Sequence, residues 1–225
     1  MHAAVITFPG SNREGDVARA LRLGGARVSH AWHADYDLPK GTDLVVLPGG
    51  FSYGDYLRCG AIAGRAHIME AVRKHAAGGG LVLGICNGFQ ILCESGLLPG
   101  ILTRNAGLKF ICKMQHLKVG RTDTPFTRLY RRDQVIEVCI AHGEGNYTAD
   151  AETLARLEGE DRVAFRYCDA SGNTSEAANI NGSLNHIAGI YSDKRNVLGM
   201  MPHPENLIET LTGGTDGLAL FKGLA

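Results

Sequence analysis

The chain has 225 residues, 44% hydrophobic and 20% charged, with 23 Lys and Arg against 23 Asp and Glu. That composition excludes a disordered chain, and the zero formal charge argues against a nucleic-acid binder, which needs a basic surplus to neutralise phosphates. No run reaches the roughly 18 apolar residues of a membrane span, and the apolar N-terminus lacks a basic flank, so it reads as a strand and not as a signal peptide. Six scattered cysteines form no C-x-x-C pair. In a chain of this length they predict reduced thiols and a cytoplasmic protein, not a disulfide framework.

In chain order, residues 3–8 are a short apolar run closed by Pro9-Gly10 and predict a first strand. A helical period spans Glu14–Leu23 and stops at Gly24-Gly25. Arg27–Trp32 suits a second strand, and residues 43–47 suit a buried one ending at Pro48-Gly49-Gly50. Ile62, Ala66, Met69, Val72 and Ala76 recur at three- and four-residue steps, which predicts one amphipathic helix closed by Gly78-Gly79-Gly80. Residues 81–83 are another buried strand, followed by a helix over 89–94. In the second half, 135–141 and 162–168 predict strands with no long helix between them. Residues 186–191 and 196–201 predict a hairpin around 192–195, and 216–224 a closing helix. The succession of strand and helix predicts an α/β fold, one domain over residues 1–225, with a mostly parallel central sheet flanked by helices and later strands of mixed direction. Ligands in such folds sit at the carboxyl ends of the strands. That directs attention to Pro9-Gly10-Ser11-Asn12, Pro48-Gly49-Gly50 and the stretch from Gly84 to Gly88.

In Gly84-Ile85-Cys86-Asn87-Gly88 a cysteine stands between two glycines at a predicted strand-to-helix junction. A nucleophile elbow has this form: a sharp turn strains the backbone, small neighbours avoid a clash, and the thiol projects at a helix N-terminus. The thiolate is the reactive form, and the helix dipole favours it. A buried structural cysteine in a glycine-rich turn has the same string. A thiol nucleophile also needs a base and a group to orient that base. Met201-Pro202-His203-Pro204-Glu205 offers both: a residue before proline is extended, and in an extended segment His203 and Glu205 share a face. The competing reading is a surface His-Glu pair in a proline-rich loop. Oxyanion donors are expected from the backbone N–H of Asn87 and from Gly49 or Gly50.

Cys139 with His142, and Cys112 with His116, are possible zinc half-sites, but no partner pair lies at a recognisable spacing, so no metal is expected. The stretch from His142 to Asn146 reads as a binding or interface loop, or as a turn. No G-x-x-x-x-G-K-[ST] loop and no G-x-G-x-x-G fingerprint occurs.

The elbow string together with Pro202-His203-Pro204-Glu205 resembles the class I (triad) glutamine amidotransferases. The run from Pro48 to Gly60, with residues 105–112, 141–146 and 198–205, is similar to subunit I of the phosphoribosylformylglycinamidine synthases, the PurQ-type glutaminase family. The resemblance implies a flavodoxin-like amidotransferase domain in which Cys86 attacks L-glutamine, His203 shuttles the proton, Glu205 orients His203, and Gln90 helps hold the substrate. The glutamyl thioester is then hydrolysed. Ammonia passes to a large synthetase subunit that binds ATP and Mg, accompanied by a third small subunit, in purine biosynthesis. No cofactor is implied on this chain. Phe51, Tyr53, Asp55, Arg58, His142 and Glu144 are the expected partner contacts. Where relatives often carry a cysteine and an aspartate, this chain has Arg13-Glu14, and residues 167–178 resemble an insertion. Fold alone leaves open another Cys-His-Glu hydrolase or a non-catalytic binding module.

Overall fold

The computed structural model describes residues 1–225. Strand β1 (His2–Thr7), helix α1 (Glu14–Leu23) and strand β2 (Arg27–Trp32) form the first parallel unit. Strand β3 (Leu44–Leu47) pairs with the other edge of β1. The apolar steps of the second predicted helix are broken: Ala63–Arg65 is a 3-10 turn, Ala66 is extended, and α2 runs only over Ile68–Ala77. Met69, Val72 and Ala76 still face the core, so the period holds, but at Ala66 (φ −63°, ψ 153°) the chain leaves helical geometry between the two pieces.

Strand β4 (Leu81–Ile85) leads into α3 (Asn87–Glu94). Strands β5 (Ile101–Thr103), β6 (Ile111–Val119), β7 (Val135–His142) and β8 (Asn146–Thr148) follow, then helix α4 (Ala151–Gly159) and strand β9 (Val163–Cys168). Strands β10 (Ile187–Tyr191) and β11 (Val197–Met200) form the expected antiparallel hairpin, and α5 (Leu218–Leu224) closes the chain.

Sequence periodicity gave no sign of β6 or α4. In β6 only Gln115, Leu117 and Val119 are buried, so Cys112, Lys113 and Met114 erase the alternation that marks a strand. Helix α4 buries only Leu157 fully, although Asp150 caps it by accepting from the Thr153 N–H at 2.7 Å. Of the apparent insertion at 167–178, Tyr167 and Cys168 belong to β9, and Asp169 folds the rest back by accepting from the N–H groups of Ser171 and Asn173.

The main sheet has the order β2-β1-β3-β4-β11-β10-β9-β6-β7. The five strands from β2 to β11 are parallel, and the four beyond β11 run antiparallel. Strand order reverses between β1 and β3, so the crossovers leave in opposite directions and open a crevice at the carboxyl ends. The antiparallel half curls back over that crevice. Although β7 is the far edge of the sheet, Cys139 on it forms a bridge with His203, just beyond β11. One hydrophobic cluster runs through both halves, from Ala3 on β1 to Ile140 on β7.

Candidate active site

Cys86 sits between β4 and α3 with φ 52° and ψ −108°, a left-handed conformation that costs a residue with a side chain about 1–3 kcal/mol. The turn is pinned on both sides. The Cys86 N–H donates to the Met200 carbonyl at 2.8 Å, and the Cys86 carbonyl accepts from Phe89 and Gln90. The two flanking glycines are steric necessities. A Cβ on Gly88 would lie 1.9 Å from the Leu47 carbonyl oxygen, and one on Gly84 would lie 2.7 Å from the Gly88 backbone. Helix α3 can therefore start against β3 and β4 only if both positions lack side chains.

His203 and Glu205 meet, although not through an extended segment. His203 has φ −105° and ψ 83°, and Pro204–Asn206 is a 3-10 turn that brings Glu205 under the ring. Nδ1 and Glu205 Oε1 are 2.7 Å apart, and both residues are 2% exposed. The His203 N–H donates to the Cys139 carbonyl at 2.8 Å, so β7 fixes the base from outside. His203 Nε2 has no partner at hydrogen-bond distance, and the Cys86 sulfur is the polar group beside it. The sulfur itself, 6% exposed, has a weak contact with the Ala141 carbonyl at 3.7 Å. Burial alone pushes the His203 pKa down, but Glu205 and Cys86 together hold it well above the ordinary histidine value. Both neighbours therefore favour the charged form of the imidazole.

Cys86 and His203 face one cavity of about 280 Å3, walled by Gly50, Asp55, Gln90 and His142–Glu144. The Asn12 and Arg13 N–H groups donate to the Gly49 carbonyl, and the Phe51 N–H donates to Gly10. The Gly50 N–H has no backbone acceptor. Gly50 has φ +153°, and a Cβ there would strike Gly10 and Ser11 at 2.7 Å. Gly49 instead gives room to the base, since a Cβ there would lie 2.9 Å from His203 Cε1. Asn87, as the first residue of α3, has an N–H that precedes the helical bonding pattern.

Gln90 is buried on the cavity wall. Its Oε1 accepts from Asn87 Nδ2 at 2.9 Å and its Nε2 donates to the Glu144 carbonyl at 2.7 Å, so it ties α3 to the loop after β7. The Asn87 side chain in turn holds the loop after β3, accepting from the Ser52 N–H at 3.1 Å.

Of the six residues expected at a partner surface, only Phe51 and Arg58 are exposed, and Arg58 is clamped to Glu94 on α3. Tyr53 is half-buried, with its hydroxyl 2.6 Å from His33 Nδ1. Asp55 and Glu144 are half-buried on the cavity wall. His142 is 3% exposed, which removes it from the outer surface, because the Gly145 backbone lies against its ring. Its Nδ1 lies 3.1 Å from Asn105 Oδ1, and burial, aided by the charge on His203, lowers its pKa to about 4. Sequence reasoning missed Arg13 and Phe110 as parts of the cavity. The Arg13-Glu14 departure was the available signal for the first, and the resemblance over residues 105–112 for the second.

No group of three or more His, Cys, Asp and Glu is gathered to hold a metal ion. A larger groove of about 480 Å3, lined by Arg73, Arg162 and Lys194, lies at the amino ends of β4 and β11. Despite its size no cysteine or histidine lines it.

Residues 1–214 match the family described as the CobB/CobQ-like glutamine amidotransferase domain. The chain is 68% identical to phosphoribosylformylglycinamidine synthase subunit PurQ of Bradyrhizobium diazoefficiens, over all of this chain and 97% of that protein. It is also 68% identical to the protein of the same name from Rhodopseudomonas palustris, with the same coverage. Among solved structures it is similar to a chain of PurLQS from Thermotoga maritima, with TM-score 0.87 and 41% identity over 99% of this chain and 96% of that one.

Proposed function

This chain belongs to the CobB/CobQ-like glutamine amidotransferase family, and we propose that it is the glutaminase subunit of phosphoribosylformylglycinamidine synthase in purine biosynthesis. The observation that carries the chemistry is the pairing of a strained cysteine with a buried His-Glu pair across one cavity.

In this reading the Cys86 thiolate attacks the side-chain amide carbon of L-glutamine while His203, charged at rest, holds the proton. The oxyanion is met by the N–H groups of Gly50 and Asn87, neither of which has a backbone acceptor. As the C–N bond breaks, His203 gives its proton to the departing nitrogen, so ammonia leaves and a glutamyl thioester remains on Cys86. The now neutral His203 removes a proton from water, which attacks the thioester; the Cys86 thiolate leaves, His203 is charged again, and glutamate departs with its acid proton lost to solvent. Glu205 keeps the ring oriented and stabilises its charged form, and Gln90 shapes the substrate end of the cavity.

The ammonia is consumed by a synthetase partner that supplies ATP and Mg, with a third small subunit; the likeness to a chain of PurLQS from Thermotoga maritima supports an assembly with further subunits but not its nucleotide chemistry. The exposed Phe51, Tyr56 and Leu57, beside the cavity mouth, are the proposed docking surface. No helix is long and apolar enough to cross a membrane, and cytoplasmic residence is part of the same proposal.

The test is Cys86→Ala in the reconstituted complex. Glutamine-dependent product formation falls by about three orders of magnitude or more, while ammonium salts still support synthesis. Normal glutamine-dependent turnover by this variant would overturn the reading.

A further inference from the structure

Asp55 is a half-buried carboxylate on the cavity wall that no cation answers. Its hydrogen-bonding neighbours are Asn87 Nδ2, at 3.4 Å, and the Cys59 thiol. Burial pushes its carboxyl upward, and the charge of Glu144 adds to the effect. Glu144 shares that wall, and its own cationic neighbour, Arg104, is 3.7 Å away on a side chain 77% exposed to solvent. Such a distant and solvated guanidinium contributes little. The Arg13 guanidinium also borders the cavity, but it is engaged by Asp16 at 2.9 Å and lies toward Glu205.

A second, independent observation concerns His142. Asn105 Nδ2 donates to the carbonyls of Lys109 and His142, and Asn105 Oδ1 accepts from the Gly145 N–H. The amide is thus oriented with its oxygen toward His142 Nδ1, which must carry the ring proton. Nε2 is left as a bare acceptor, buried, without a partner, on a ring that lines the same cavity. Two carboxylates and a neutral nitrogen lone pair therefore border one space. None of the three meets a buried cation, and a primary ammonium, with three donors and one positive charge, satisfies all of them.

Resting on the glutaminase reading, we propose that Asp55, together with Glu144 and His142 Nε2, binds the α-ammonium of glutamine and makes the site selective for the free amino acid. Gln90 links this patch to α3, whose first residue follows the nucleophile, so one cavity presents Cys86 to the reacting amide and the three acceptors to the α-nitrogen. A glutaminyl side chain in a protein, whose α-nitrogen is acylated and uncharged, is rejected for lack of this charge. A des-amino substrate leaves the acceptors unpaired and is rejected as well.

The experiment measures kcat/KM of the reconstituted complex for L-glutamine and for its des-amino analogue, glutaric acid monoamide. In the unaltered protein L-glutamine is favoured by about a hundredfold or more. Asp55→Asn lowers that ratio by about tenfold or more, Glu144→Gln lowers it less, and Asp55→Glu recovers part of it. A ratio unchanged in Asp55→Asn overturns the proposal, and so does a change confined to inhibition by ammonium ion, which would assign the patch to the product. A binding measurement needs no variant. L-glutamine protects Cys86 from alkylation at concentrations about a hundredfold below those needed with glutaric acid monoamide, and equal protection overturns the assignment. If L-glutamine neither protects Cys86 nor turns over, it is the glutaminase reading that has failed; glutamine turnover without discrimination defeats the ammonium site alone.

Discussion

The two halves of the sheet contribute to the site in different ways. The parallel half supplies the reacting groups from tight turns at its strand ends: Cys86 after β4, Gly50 after β3 and His203 after β11. The antiparallel half supplies no nucleophile. It curls back so that the edge strand β7 holds His203 by its backbone and places His142 and Glu144 over the cavity. The difference separates chemistry from selection. A local turn suffices to strain and present a thiol, whereas the shape and polarity around the substrate depend on contacts between distant strands.

After the loss of Cys86 itself, the largest effect expected on the chemical side comes from Glu205→Gln. Losing the carboxylate removes the charge that keeps His203 protonated, and kcat/KM for glutamine falls by roughly 10²–10⁴-fold. A pH–rate profile would show the histidine limb moving to lower pH. A fall of less than about threefold would mean that the parallel half does not depend on this pair.

Stability tests the same half next. Gly88→Ala places a methyl group against the Leu47 carbonyl, so the elbow must open. A loss on the order of 3 kcal/mol in thermal or denaturant unfolding is expected. An unshifted melting curve would show that α3 does not need its close approach to β3.

The antiparallel half has its own signature in pH. His142 has a folded pKa of about 4 against about 6.5 unfolded. Between these values the unfolded chain binds more protons, so stability falls as pH drops from about 6.5 to about 4, by up to roughly 3 kcal/mol. The raised pKa of His203 acts in the opposite direction, with its contribution lost only as pH rises through the folded value, above this window. His142→Gln should flatten the acid limb, and an equally steep limb in the variant would contradict the assignment. A smaller change, about 1–3 kcal/mol, is expected for Asn105→Ala, because the Gly145 N–H and the His142 ring lose their acceptor. The variant should raise KM for glutamine more than it lowers kcat, and the reverse split would move Asn105 to the chemical side.

What was legible in the sequence follows the same division. The strand–Gly-x-Cys-x-Gly–helix string is a local constraint, and every part of it is explained by contacts within a few ångströms of the turn. The His203–Glu205 pair was legible as a contact but for an imperfect reason, since Pro204 starts a 3-10 turn and does not prolong a strand. Strand β6 was illegible because half of it extends past β9 with exposed faces, and α4 because it lies on the surface with one fully buried side chain. The inward placement of His142 was hidden because it depends on how far the sheet curls, and that of Asp55 because it follows from three successive positive φ angles at Tyr53, Gly54 and Asp55.

The central claim is that Cys86 becomes covalently acylated by glutamine. Acid quenching of the complex during turnover with isotopically labelled L-glutamine, followed by peptide mass analysis, tests it directly. One glutamyl group is expected on the peptide containing Cys86, more abundant when His203→Asn slows hydrolysis of the thioester. Label on Cys59 or Cys139 instead, or turnover with no label on any cysteine, would contradict the account.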